Sequence, residues 1–344
     1  MSQVQLRING RGNAWPVILG QEHPFYNRSD YQDLANASCS ILQYKENNSG
    51  QKSIEWELII DVGHGTVQYL LQNENRIPEA IFLTHSHIDH ILGIDWIIQS
   101  YYKTYQKPYP VYATILAWKK TMAAFPHLET MVKFCELKPF TSTVVKEVSG
   151  VQVTAYPVYH GQAAEGAAML LFETNNKKIL ITGDILCPLL RKNDFNDLSN
   201  IDLLVTDANN RFPYPGSNHW SIVKEKENKE SDFLFDFTQQ ISLGTILSPH
   251  IKAFAPISYA NCFDYFFDQK VAIRDFIFDI ISFVKKVNPE KIAFVHYSGT
   301  EDEKYYQQPI LNPSELKSWI IKEFCNHRIE SSVIVPYVGQ HIIF

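Results

Sequence analysis

Residues 85–90 read His-Ser-His-Ile-Asp-His and follow directly on the apolar run "AIFLT" at 80–84. Four groups that bind divalent cations through imidazole nitrogen or carboxylate oxygen thus fall within six positions. His85 and His87, two apart at a strand end, face one ion if the chain turns there. Asp89 and His90 fall on the next turn, at a helix start, and reach a second. One segment cannot fill two coordination shells, so the fold must bring ligands from other strand ends. Three candidates are spaced for this: His160 closes "YPVYH", Asp184 closes "ILITGD" and His296 closes "IAFVH". Together with the first four they give a ligand set for two ions, with Asp184 placed to bridge.

Short apolar runs bounded by turn residues recur and read as strands. They cover 4–8, 38–44, 56–62, 80–84, 151–158, 168–173, 178–182, 202–206 and 291–295. The last two are continuously apolar, as in strands covered on both faces. Helical spacing appears over 90–102, 116–134 (two short helices broken at Pro126), 264–286 and 314–325. The last of these opens on a cap at Ser314 with Lys317 where a capping box has an acid. Strands, helices and strands again imply two sheets with helices outside. Loops after the strand ends at Asp61, Thr84, Tyr159, Thr182, Thr206 and Val295 are where a rigid scaffold presents chemistry.

The 344 residues form a single expected domain, interrupted by one compositional shift. It runs from the Pro/Gly/Asn loop at 210 through "KEKENKESD" into an aromatic-rich stretch ending near 288. It reads as a helical cover over the sheet, with a substrate lid or a homodimer surface over 232–285 as the other readings. With 31 Lys and Arg against 37 Asp and Glu, the chain carries a formal charge of −6, and counterion release offers it nothing on DNA or RNA. Five cysteines, an odd number without a CxxC pair, read as reduced thiols. No basic-then-apolar leader and no run of 18 apolar residues appear, so a cytoplasmic protein without a membrane span is expected.

"HSHIDH" resembles the HxHxDH signature of the metallo-β-lactamase fold, and "HG" at 160–161, "GD" at 183–184 and His296 follow in that superfamily's order. Asp61 in "LIIDVGHGT" matches its early Asp, which orients the metal loop. The resemblance spans about 38–300 and implies an α/β (α+β) four-layer αββα sandwich. Within the superfamily the chain is most similar to RNase Z and the small cyclic phosphodiesterases. "DVGHGTVQYLL" resembles the D-C-G-E-G-T-Q stretch, "IDLLVTDANN" resembles LIHEATF with Asp207 at the acidic position, and "NHWSIVKE" resembles HSTAREA with His219 at the catalytic His. Asn210, Trp220 and Ser221 depart from those patterns. Ile88 stands where RNase Z has Gly and class II cyclic-nucleotide phosphodiesterases have Leu. Only 23 residues separate His160 from Asp184, which leaves no room for the arm with which RNase Z grips tRNA.

The resemblance implies two divalent ions, zinc first, with manganese or iron as alternatives, held by His85, His87, Asp89, His90, His160, Asp184 and His296. Water activated between them attacks phosphorus, Asp89 both binds metal and orients that water, and His219, held by Asp207, protonates the leaving alkoxide. A small or cyclic phosphodiester is the expected substrate. An ester, lactone or thioester hydrolase, a tRNA 3′-processing endonuclease and a non-catalytic scaffold are the competing readings. Among the other histidines, His64 is either a partner of Asp61 or a surface residue. His23, His127, His250, His327 and His341 read as surface or packing groups.

Overall fold

The computed structural model describes residues 3–46, 50, 52–190, 193–214, 217–223 and 277–344. The first sheet comprises β1 (Gln3–Gly10), β2 (Ser38–Glu46), β3 (Lys52–Ile60), β4 (Ala80–Phe82), β5 (Tyr109–Ala113) and β6 (Val132–Glu136), side by side in chain order, with the last strand, β15 (His341–Ile343), on the far side of β1. The second runs β11 (Cys187–Pro188), β8 (Val151–Tyr159), β9 (Ala168–Thr174), β10 (Lys177–Ile181), β12 (Leu203–Asp207), β13 (Lys291–Val295) and β14 (Ser332–Ile334), with β7 (Ser142–Val144) beside β8.

Successive strand side chains point to opposite faces, and here both faces are dry. Leu58 and Ile60 join the core between the sheets, while Ile59 joins a second core under Ile94, Ile97 and Ile98 of the helix Ile94–Tyr105. On the other sheet, Ile179 and Ile181 face inward. Leu180 faces a third core, under Phe283 and Val284 of helix Ile280–Val287 and Ile320 and Phe324 of helix Pro313–Asn326. Three apolar interfaces alternating with two sheets give the four-layer αββα sandwich.

Strand direction gathers the site. β3 and β4 are parallel neighbours, as are β10, β12 and β13, and β8 shares their direction because β9 is antiparallel to both β8 and β10. The carboxyl ends of all six therefore open on one edge of the sandwich. Asp61, His85, His160, Asp184, Asp207 and His296 lie at or just past those ends.

All nine expected strands form, with ends shifted by a few residues. The helix expected over 90–102 is two, Ile88–Ile91 and Ile94–Tyr105, because the Gly93 N–H turns aside to Val62 O (2.7 Å). Residues 132–134 are not helical: after the 3₁₀ turn Pro126–Met131 the chain enters β6, where Phe134 stacks on Trp118 of helix Ile115–Ala124 at 5.1 Å. The cap of the last helix is Asn312, not Ser314; its Oδ1 accepts from Ser314 N and Glu315 N, and Glu315 answers to Asn312 N. The helix expected over 264–286 does not run through 277–279: it starts at Ile280 beneath an Asp279 cap, and 264–276 lie outside the described residues. So do His250, Cys262 and most of the insertion or lid at 210–288 and of the dimer surface at 232–285. The described ends of that stretch, Trp220, Ile222 and Ile277, are buried in the helix-side core. Among the described residues no helix is long and apolar enough to cross a membrane.

The outer face of the first sheet hides a charge network. Arg7 and Glu57 are both 0% exposed and meet at 2.6 Å; Arg7 also reaches Glu74 (2.6 Å) and Asn9 (2.9 Å), and Ser40 donates to Glu57 (2.6 Å). Removing one partner of a buried pair strands the other charge, which costs roughly 3–5 kcal/mol. Glu57→Ala is expected to lower unfolding stability by about that amount in urea titration; a change below about 1 kcal/mol, the scale of surface pairs, would show the pair to be surface-like.

Candidate metal centre

Asp61 sits just past β3 with a left-handed backbone (φ 55). Its carboxylate accepts Thr84 N (2.8 Å), Thr84 Oγ1 (2.6 Å) and His90 Nδ1 (2.8 Å). The Thr84 hydroxyl, its proton spent on Asp61, accepts from His85 Nδ1 (3.0 Å). His160 Nδ1 donates to Asn218 O (2.9 Å). In all three imidazoles Nδ1 is occupied by the protein, which leaves Nε2 as the nitrogen facing the cluster, the arrangement of metal-binding histidines whose other nitrogen is held by an oxygen acceptor.

Those Nε2 atoms converge on Asp184. From its Oδ2 they lie at 3.9 Å (His85), 3.4 Å (His90), 3.6 Å (His160) and 3.2 Å (His296). Asp89 Oδ2 lies 3.6 Å from His90 and 3.4 Å from His296, and His87 Nδ1 lies 3.2 Å from His160 Nε2. Two ligand groups result, sharing Asp184: His85, His87, His160 and Asp184, and Asp89, His90, Asp184 and His296. Within each group the ligand atoms fall within 4.8 Å of one another. The structure thus brings together every residue expected from the sequence to bind metal.

The donor set fits divalent cations. His85 Nε2 and His90 Nε2 are buried without a hydrogen-bond partner, and an orphaned buried polar atom is costly unless something else is meant to meet it. Burial, together with the neighbouring His90 for His85 and His219 for His160, holds both imidazoles well below their ordinary pKa, ready as neutral ligands; burial lowers His87 too. His90 is the exception: burial opposes its charge, but Asp184, Asp89 and Asp61 outweigh burial and raise it. Burial would likewise raise Asp184, yet His296 and His90 hold it well below the carboxylate range.

Two backbone approaches set the spacing. A Cβ on Gly63 would lie 1.8 Å from Asp89 O, and one on Gly183 (φ +57) would lie 2.6 Å from the Thr84 side chain. Neither position admits a larger residue. His296 is itself left-handed (φ 63), held by its N–H on Arg11 O (2.8 Å).

Asp207 and His219, 12 residues apart in the sequence, are hydrogen-bonded: His219 Nδ1 meets Asp207 Oδ2 at 2.5 Å. The His219 ring packs against His160 (centroids 4.7 Å) and His296 (5.3 Å). The departures noted in the sequence are anchors. Asn210 Nδ2 donates to His219 O (2.9 Å), and the buried Trp220 donates from Nε1 to Asp207 O (3.2 Å). Burial opposes the His219 charge, but Asp207 outweighs it and raises the pKa.

His64 stands outside the cluster, on Tyr31 (3.1 Å). His23 binds Ser298 O (3.0 Å), His127 binds Asp95 (2.7 Å), His341 meets Gln5 (3.1 Å) and His327 ends the last helix. Sequence reasoning missed Thr84 and Asn218, which orient His85 and His160. A threonine immediately before the first histidine was the only available signal for the former; a backbone carbonyl leaves none.

A family model described as Anti-Pycsar protein Apyc1 matches residues 35–224, more than half of the chain. The chain belongs to the Apyc1 family. No curated protein matches it in sequence. Among solved structures, this Apyc1-family chain is similar to a diphosphatase of the PhnP family (15% identity, 99% of this chain and 98% of that one, TM-score 0.60). It is also similar to the metallo-β-lactamase fold protein YhfI from Bacillus subtilis (12%, 99% and 99%, 0.55) and to Zn²⁺-bound PqqB from Methylobacterium extorquens (12%, 99% and 100%, 0.54). These likenesses establish the metallo-β-lactamase fold, and the His/Asp cluster has the donors to hold divalent metal. The matched segment contains Asp61, the 85–90 cluster, His160, Asp184, Asp207 and His219, while His296 lies beyond it.

Asp61→Asn keeps the shape but loses the charge that orders Thr84 and His90. Metal affinity is expected to fall about 10–100-fold, read by competition with a chromophoric chelator. An unchanged affinity would show that the orienting network does not matter.

Proposed function

We propose that this chain is a phosphodiesterase that opens a small cyclic phosphodiester, a cyclic nucleotide, with two divalent ions held by His85, His87, Asp89, His90, His160, Asp184 and His296. Zinc is the first choice, since the similar PqqB is zinc-bound, with manganese and iron as alternatives. The family's description as an anti-Pycsar protein accords with destruction of a cyclic nucleotide. The observation that carries the reading is the Asp207–His219 pair set against the cluster, with the imidazole 13% exposed and lining a cavity. Ester, lactone or thioester cleavage needs the cluster but not this pair.

Bound there, divalent ions lower the pKa of water toward neutrality and offset charge on the phosphoryl oxygens. The chain's own residues do the rest. Asp207 accepts from His219 Nδ1 and so directs Nε2–H toward the cavity. Asp207 shifts His219 toward its protonated form, from which it can give a proton to the departing alkoxide. Asp207, buried and itself held by Asn209 N (2.8 Å), stabilises the imidazolium beforehand and fixes the tautomer afterwards. A tRNA substrate finds no support. The chain between His160 and Asp184 is used up by a short 3₁₀ turn and the β9–β10 hairpin, whose two-residue turn Asn175–Asn176 has φ 49 and 61.

His219→Ala is expected to cost roughly 10²–10⁴ in kcat on a phosphodiester with an alkyl leaving group while metal content stays at the wild-type level by mass spectrometry. An aryl ester such as bis-p-nitrophenyl phosphate, whose leaving group needs no proton, should lose far less. Equal losses accompanied by loss of metal would make His219 a ligand instead of an acid. The pH profile carries the sign: His219 acts as acid while protonated, so kcat on the alkyl ester declines on the alkaline side as pH passes its raised pKa. The variant should lack that limb; a limb that persists in His219→Ala belongs to another group.

A further inference from the structure

The cavity beside the metal centre has a volume of about 300 Å³, at the lower bound of small-molecule sites. His219 and His296 form its inner wall, so it opens where the leaving group would stand. Its outer wall is unusual: Trp15, 76% exposed, lines it from the N-terminal loop, together with Tyr305 from the helix Thr300–Tyr306.

The loop that carries Trp15 is tied down. Gly12 N donates to Ala35 O (2.8 Å), Asn36 Nδ2 donates to Asn13 O (2.5 Å), and Arg11 O accepts the N–H of His296 (2.8 Å). Arg11 pairs with Asp33 (2.6 Å) and donates to Pro336 O (3.0 Å). A large aromatic is therefore held in the open on a fixed loop, joined by one hydrogen bond to a candidate metal ligand.

Among the described residues the lining holds no lysine or arginine, and its one carboxylate, Glu301, pairs with Lys304 (3.4 Å).

We infer that this cavity receives the nucleoside half of the substrate, with Trp15 as the platform on which the base stacks. This rests on the phosphodiesterase reading above and adds a specificity determinant to it. Stacking on an aromatic side chain tolerates any base, because every base has a π-face, so the platform selects nucleosides without selecting among them strongly.

The test uses the metal-loaded full chain and two variants, Trp15→Ala and Trp15→Phe. Calorimetry with a hydrolysis-resistant cyclic nucleoside phosphorothioate reads the platform independently of turnover. Trp15→Ala should raise Kd roughly 5- to 150-fold, with Trp15→Phe much closer to wild type. In turnover, Trp15→Ala should raise KM for a cyclic nucleoside monophosphate and leave KM for a cyclic ribose phosphate lacking a base unchanged. An unchanged Kd, or equal effects on both substrates, overturns the platform while leaving the phosphodiesterase reading intact. Wild type that turns over neither substrate removes that reading, and the calorimetric arm still decides the platform.

Discussion

Three hydrogen bonds onto one carboxylate hold the metal centre in register. Asp61 takes the Thr84 N–H, the Thr84 hydroxyl and His90 Nδ1, and so ties the end of β3 to the end of β4 and to the helix that follows. Because the hydroxyl proton is committed to Asp61, Thr84 Oγ1 must accept from His85. One carboxylate thereby orients two imidazoles, and their Nε2 atoms face the same buried space. Gly63 against Asp89 O is the steric counterpart, since a side chain there would push the next ligand away.

That space is electrostatically expensive. Asp89, Asp184 and Asp207 are buried there among His85, His90, His160 and His296, with Asp61 just behind them. Without cations the acids lean on whatever imidazoles will protonate, which is why His90 is pulled up while His85 and His160 are pushed down. Cations resolve this by supplying charge to the carboxylates and an occupant for the orphaned Nε2 atoms. Metal binding is thereby linked to folding and to proton release, and part of this edge's stability belongs to the ions it is built to hold.

Much of this was legible before any coordinates. Ligand residues recur at the ends of apolar runs, and a run buried on both faces, such as Leu203–Val205, is readable because its periodicity is simply apolar. Asp207 and His219 were harder. Twelve residues apart, their contact depends on Trp220 and Asn210 fixing the loop between them, and in the sequence both looked like departures from the pattern. The strands at 142–144, 187–188, 332–334 and 341–343 are two or three residues long, too short to show alternation, and exist because a neighbour offers them an edge. The end of the expected helix at 132–134 became a strand for a related reason: β5 presents a parallel edge, and the outward Phe134 finds Trp118. In both cases tertiary pairing decided what local propensity left open.

The site divides its tasks between two chemical environments. The cluster is dense in charge, rigid and built from strand ends that the family model covers, with His296 as the addition from beyond it. Among the described residues the cavity beside it holds one carboxylate and no basic side chain, and much of its wall comes from segments outside residues 35–224: Asn13, Trp15 and Ile18 from before it, Ser298, Thr300 and Tyr305 from after it. On the reading proposed above, a phosphate's charge would be answered where the ions bind, and the group it carries by shape and an aromatic face. Loops on a rigid scaffold can change that second answer without disturbing the first. The two are nonetheless joined: His219 and His296 border both, and the hydrogen bond from His296 N to Arg11 O ties the N-terminal loop to the cluster. The loop that presents Trp15 therefore takes its position from the metal centre's own backbone, so the cavity can be reshaped only as far as that bond allows.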